Sequence, residues 1–284
     1  MLMTSGFFLL FHYFRTSFSG DCTYFAARRI NMIVLLSPSK NLHNQPKTSP
    51  DVSLPRFPEE TVKLIETLKK QSPKSLQKLM DINDKLAQLN VNRYQQFEWP
   101  HTLKNATSAA FTFRGEVYLG LDVNTMNKAT LDATNKRIRI LSGLYGLLRP
   151  FDLIQPYRLE MGVELKVGRN KDLYHFWGDK ITTLLNQDIE TSKAKEIINL
   201  ASQEYSQSIK REKLNVPITD IQFLEDRNGK LQFLSYNAKR SRGWMARYIA
   251  EHKIKSSKAL RGFDLHGYGF REELSDDKKM VFVR

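Results

Sequence analysis

Arg139-Ile140-Leu141-Ser142-Gly143-Leu144-Tyr145-Gly146-Leu147-Leu148-Arg149-Pro150-Phe151-Asp152-Leu153-Ile154-Gln155-Pro156-Tyr157-Arg158-Leu159-Glu160-Met161-Gly162 is the stretch on which the reading of this 284-residue chain turns. The spacing predicts a helix from about Leu131 to Leu141 that runs into two glycines three residues apart. A second apolar piece then stops at Arg149-Pro150. Two short helical pieces joined by a glycine hairpin is the reading that results, because glycine tolerates φ > 0 and lets a backbone approach another molecule closely. Unpaired N–H groups at such a hairpin can meet a phosphate. Lys136, Arg137, Arg139, Arg149 and Arg158 stand against Asp152 alone between residues 136 and 158, so the hairpin is basic. A tight structural turn is the alternative on spacing alone.

Outward from that stretch, the chain carries 44 Lys and Arg against 30 Asp and Glu, a net charge of +14 with 41% hydrophobic residues. Such a balance allows a substantial core and favours polyanionic partners. Residues 206 to 261 hold thirteen basic and five acidic side chains, so the excess is concentrated there. The one cysteine, Cys22, rules out an intrachain disulfide framework and a cysteine metal cluster. His43, His101, His175, His252 and His266 show no ligand spacing, and neither a Walker-type phosphate loop nor a dinucleotide glycine fingerprint occurs. The expectation is therefore no metal and no cofactor.

Residues 1–31 look foreign to the rest. The apolar run at 7 to 14 is too short for a membrane span and has the wrong flanks for a secretory signal. An extension over 1–31, upstream of a true start at Met32, and one large domain over 32–284 are expected, with no membrane association.

Met32 to Leu36 reads as a buried strand ending in the turn-prone Ser37-Pro38-Ser39-Lys40. Helical patterns begin at Pro58, Pro73 and Asp84, and another runs from Leu173 to Leu185. Phe111 to Gly120 reads as a strand or bent strand pair, Tyr157 to Glu164 and Glu196 to Leu200 as strands. Asn228-Gly229 marks a hairpin between Ile218–Glu225 and Leu231–Tyr236, a helix spans about Arg242 to His252, and Met280 to Val283 closes the chain as a strand. Helices and strands are interspersed without a regular βαβ rhythm, so the expected class is mixed α/β (α+β), a single large domain with a helix-hairpin-helix-like element and a basic groove.

Several stretches also match one family. The run from Ser142 to Gly162, together with Ser37-Pro38-Ser39-Lys40, Asp172 to Asp179, Ile198 to Tyr205 and Ala238 to Gly243, resembles the YaaA family of peroxide stress proteins over roughly Met32 to the C-terminus. The resemblance implies a cytoplasmic protein with a helix-hairpin-helix-like element that binds duplex DNA and limits iron-driven damage under hydrogen peroxide. It implies neither an obligate protein partner nor a firmly attached catalytic activity.

On that reading, Gly143 and Gly146 present backbone N–H groups to one DNA strand while Arg139, Arg149 and Arg158 neutralise phosphates, contacts that position without reading sequence, and Ser142 and Tyr145 are further DNA-binding candidates beside them. Tyr145 is either a core aromatic or a sugar-stacking group. Lys239, Arg240 and Arg242 precede Trp244 and Tyr248, four apart; the aromatics suit a buried helical face and the basic trio a surface contact. A second reading is an enzyme acting on a nucleobase or nucleotide, glycosylase-like by analogy. Its pocket would lie near Lys40 and Glu160, with Arg158, Ser202 and Glu204 as the other candidates, because strand ends are common ligand positions in α/β folds.

Overall fold

The structure, a computed structural model, describes residues 31–43, 49 and 51–284. The expected extension over 1–31, and Cys22 with it, lies outside these residues.

Met32–Leu36 forms β1, an uninterrupted apolar run buried along its whole length. A strand buried on both faces has no reason to alternate, which is the signature of a central parallel strand. Its neighbours are β5 (Ile138–Ser142) and β8 (Glu196–Asn199), both parallel to it, with Val34 opposite Ile138 on one side and Ile198 on the other. Beyond β8 the sheet continues in parallel through β9 (Ile218–Arg227) and β12 (Lys279–Val283). Antiparallel β6 (Gly146–Leu148) and β11 (Gly269–Asp276) close its two edges, giving the order β11-β12-β9-β8-β1-β5-β6. A short eighth strand, β10 (Lys230–Gln232), pairs with β9 alone across the Asn228-Gly229 turn, both of whose residues have positive φ. Two further pairs lie outside this sheet: β2 (Asn41–Leu42) with β4 (Phe113–Arg114), and β3 (Thr107–Ser108) with β7 (Leu153–Ile154).

The helices, in chain order, are α1 (Pro58–Lys69), α2 (Pro73–Met80), α3 (Asp84–Gln95), α4 (Ala109–Thr112), α5 (Glu116–Leu121), α6 (Lys128–Arg137), α7 (Leu173–Trp177), α8 (Lys180–Ser192), α9 (Gln203–Ser206), α10 (Ser235–Glu251) and α11 (Ser257–Leu260). Their starts follow local chemistry: Pro58 and Pro73 occupy first-turn positions, and Ser72, Asn83 and Asp172 accept capping bonds from backbone N–H groups. Among the described residues no helix is long and apolar enough to cross a membrane.

Helices α5 and α10 cross where Gly120 meets Gly243. A Cβ on Gly243 would overlap the Val117 carbonyl oxygen and stand 2.8 Å from Gly120 Cα, so the two backbones touch directly. Only glycine at both positions allows this approach. The mixed α/β single domain is as expected, but its parallel central sheet is more regular than the pattern of elements indicates.

Three local readings are corrected. The glycine segment is a β-hairpin, not two helical pieces: α6 ends at Arg137, and β5 and β6 pair with Ser142 opposite Gly146. Gly146 takes φ +69° at the turn, and a Cβ on Gly143 would overlap the Leu159 carbonyl oxygen. The turn is thus covered by the chain itself. Phe111 to Gly120 forms α4, β4 and α5, broken at Gly115, instead of a strand pair. Tyr157 to Glu164 is irregular, and its polar groups are held by side chains: the Tyr94 hydroxyl donates to the Arg158 carbonyl, Ser142 Oγ lies 2.7 Å from the Tyr157 hydroxyl, and Glu204 Oε1 accepts from the Gly162 N–H at 3.1 Å.

Candidate functional site

In the order of strands, β1 leads onward to β5 on one side while β8 leads to β9 on the other. A crevice outside the carboxyl ends of two such strands is where open α/β sheets bind ligands. The segments that leave these two ends, Ser37–Lys40 after β1 and Ser202–Glu204 after β8, face one another there. Ser202 N–H donates to Ser37 Oγ at 2.9 Å, the two hydroxyls are 3.3 Å apart, and the Tyr118 hydroxyl on α5 donates to the Ser37 carbonyl at 3.0 Å.

Two adjoining cavities open from this point and share Lys40 and Glu204. The first, about 330 Å³, is bounded by the Ser37–Lys40 loop and by Tyr118, Tyr236, Lys239 and Arg242. The second, about 700 Å³, lies toward Glu160, Glu164 and Asp81. Lys40 stands between them, its Nζ 2.9 Å from Glu160 Oε1, and Arg158 Nη2 reaches the same oxygen at 3.0 Å. Glu160 is only 7% exposed, and its other oxygen, Oε2, has no hydrogen-bond partner among the described residues; neither has Arg158 Nε. A cavity of about 10 Å³, room for one water, lies between these residues and Tyr157 and Tyr205. Burial pushes the hydroxyls of Tyr118, Tyr157 and Tyr205 well above the ordinary tyrosine range, so all three stay neutral donors. The candidates Lys40, Arg158, Glu160, Ser202 and Glu204, scattered along 165 residues of sequence, are thus gathered at one place.

The residues expected to meet DNA at the hairpin are not available there. Ser142, Gly143, Tyr145 and Gly146 are buried, and the Tyr145 hydroxyl is engaged by the Gln155 N–H at 3.1 Å and by His101 Nε2 at 3.0 Å. Tyr145 is a core aromatic. Arg139 is buried as well and donates from Nε to Asp188 Oδ2 at 2.5 Å, while Arg56 takes the other carboxylate oxygen at 2.6 Å. Burial lowers the Arg139 pKa, against the pull of Asp188; burial would raise that of Asp188, but the two guanidiniums outweigh it and hold it below the usual carboxylate range. Arg139 is therefore a structural cation inside a sheet. Arg149 is half-buried and ion-paired to Asp152 at 2.9 Å, away from the crevice.

Helix α10 carries the rest. It begins at Ser235, earlier than the expected Arg242, so the basic trio sits within the helix instead of before it. Lys239 is exposed, and Arg240 lies 2.8 Å from Glu116 of α5 beside the glycine crossing. Arg242 is half-buried at the crevice, and its pKa is lowered by burial, which the charge of Asp220 partly offsets. Neither Lys239 nor Arg242 has a salt-bridge partner within 4.0 Å among the described residues. Trp244 and Tyr248 pack against the core, as expected. Tyr236 and the Glu116–Tyr118 wall escape sequence reasoning: nothing local marks a tyrosine two residues into a helix, and the Glu116–Arg240 pairing joins positions 124 residues apart.

Fold and crevice together define a class: a mixed α/β protein with a largely parallel sheet and a polar crevice at its switch point. Within that class, the sequence model of the family described as peroxide stress protein YaaA matches residues 32–274. The chain is 44% identical over 254 residues to a UPF0246 protein of Chromobacterium violaceum, covering 89% of this chain and 99% of that one. A UPF0246 protein of Hahella chejuensis is 41% identical over the same shares, and one of Burkholderia vietnamiensis is 44% identical over 256 residues, 89% and 98% of the two chains. The chain belongs to the peroxide stress protein YaaA family.

Proposed function

We propose that this protein acts in peroxide stress by binding double-stranded DNA, largely without regard to sequence, and so limits iron-driven oxidative damage. The contact surface is the face around the first half of α10, not the glycine hairpin. What carries this reading is the pair Lys239 and Arg242: two cations beside a crevice, one of them half-buried, with no carboxylate partner within 4.0 Å among the described residues. Burial of Arg242 is offset only in part by the charge of Asp220, and an anionic ligand removes the cost that remains. The net charge of +14 supports the same polyanionic partner. Contacts of this kind make affinity depend on salt, with log K falling by about 0.9 per log unit of salt for each phosphate neutralised. Titrating labelled duplexes across a salt series tests it. Lys239→Ala and Arg242→Ala should each reduce the slope by about one, and scrambled sequences should bind alike. A salt-independent affinity, or a preference for one sequence, overturns the reading.

A second reading, an enzyme acting on a nucleobase or nucleotide, is favoured by the Lys40–Glu160–Arg158 cluster, where an accessible amine adjoins a buried carboxylate with one unpartnered oxygen. Its test is whether Lys40→Ala loses protection in peroxide-treated cells while keeping duplex affinity. Full protection removes this reading.

A further inference from the structure

We propose that the crevice beside α10 receives a single nucleotide unit, with its phosphate on Lys239 and Arg242 and its base against Tyr236. Nucleic acid bound here therefore has one nucleotide everted from its stack. The inference rests on the DNA-binding reading above and goes beyond it by naming what enters the site.

Size decides first. At about 330 Å³ the cavity is at the small end of pockets that hold one small molecule, roughly 300–1,000 Å³. A duplex, whose major groove alone is about 12 Å wide, cannot enter; one nucleotide can. Chemistry decides next. Lys239 and Arg242 supply charge at one end, and Arg242 is partly desolvated, with the charge of Asp220 offsetting this only in part and no carboxylate within 4.0 Å among the described residues. Tyr236 lines the same cavity and is 58% exposed, so its ring is open to a ligand. The Arg240 guanidinium lies 5.7 Å from its ring centroid, which steadies the ring through a cation–π contact. Stacking on an aromatic face tolerates any base, which agrees with binding that does not read sequence. At the other end, beside Lys40, the Glu204 carboxylate lines both cavities and can accept hydrogen bonds. A base or sugar offers N–H and O–H groups; a bare phosphate does not.

The experiment uses the full chain and short duplexes carrying 2-aminopurine at successive positions, a base that is dark when stacked and bright when everted. Fluorescence should rise severalfold at saturation for at least one position. Tyr236→Ala should abolish the rise and weaken binding about tenfold, the effect of one lost stacked base, while Tyr236→Phe keeps both. A deoxynucleoside monophosphate added in excess should suppress the rise if the pocket accepts the free unit as well as the everted one. If duplexes bind with the expected salt slope but fluorescence stays dark and Tyr236→Ala binds normally, this inference is overturned and the DNA-binding reading survives. If duplexes fail to bind while the monophosphate binds in a Tyr236-dependent way, the pocket stands and the DNA-binding reading falls. If neither binds, both are overturned.

Discussion

At the level of single residues, Lys40 and Glu160 form one ion pair with unequal consequences for its two members. The Lys40 side chain is 59% exposed, so its removal leaves a carboxylate still held by Arg158 and costs on the order of 1 kcal/mol or less. Glu160 is buried, and Glu160→Ala strands the Arg158 guanidinium, itself mostly buried, without its partner. Breaking a buried pair from one side is expensive, about 3 kcal/mol. Urea unfolding should show that asymmetry; equal losses would mean that solvent reaches Arg158 freely. Lys40→Ala is for this reason the clean probe of the cluster, since it removes the amine without disturbing the fold. Arg139 teaches the opposite lesson about charge. In sequence it belongs to a basic hairpin, yet its partner Asp188 is 49 residues away and consumes its charge internally.

At the level of elements, the α5–α10 crossing sets two effects against each other. Gly243 lies mid-helix, where alanine is ordinarily better by about 1 kcal/mol. The added methyl would meet backbone atoms of α5, which cannot move aside as a side chain can, and overpacking costs about 1–3 kcal/mol. The clash prevails, so Gly243→Ala should lower stability in urea unfolding; a stabilised variant would refute the direct backbone contact. What the sequence reveals about elements follows the same division between local and distant causes. The β1, β8 and β12 runs are legible because continuous apolar residues suit buried strands, and the β9–β10 turn because Asn-Gly supplies its two positive φ values. The β5–β6 hairpin misleads because a glycine-rich turn flanked by arginines has the composition of an exposed loop, and only Leu159, Trp177 and Phe57 packed against it show otherwise. Tyr157 to Glu164 alternates like a strand but has no strand to pair with; Tyr94 and Glu204 satisfy its backbone instead. For the crevice, Lys40, Ser202 and Glu204 are legible as polar residues after strand ends, whereas Tyr236 and Glu116 enter it only through the helix crossing.

At the level of the whole molecule, stability responds to acid through His101. The ring is 3% exposed and takes hydrogen-bonding positions against Tyr145 and Gln155; burial pushes its pKa down to about 4, from 6.5. A depressed folded-state pKa means that the unfolded chain takes up the proton first. Stability is therefore complete above pH 6.5 and falls as pH drops from 6.5 toward 4, by about 3 kcal/mol at most. Denaturant midpoints measured through that window should decline, and His101→Gln should flatten the decline even if the variant is weaker throughout. An unchanged slope in the variant would assign it to other groups. The central strand carries a consequence of another kind, in time. β1 is the first strand of the sheet along the chain, yet its partners begin at residues 138 and 196. With synthesis at about 5–20 residues per second, the hundred-odd residues before its first partner take roughly 5–20 s to appear. Once it has left the ribosome, Met32-Ile33-Val34-Leu35-Leu36, the most apolar strand of the sheet, waits about that long with no edge to join. The nascent chain must keep that strand from other chains before any of the crevice exists.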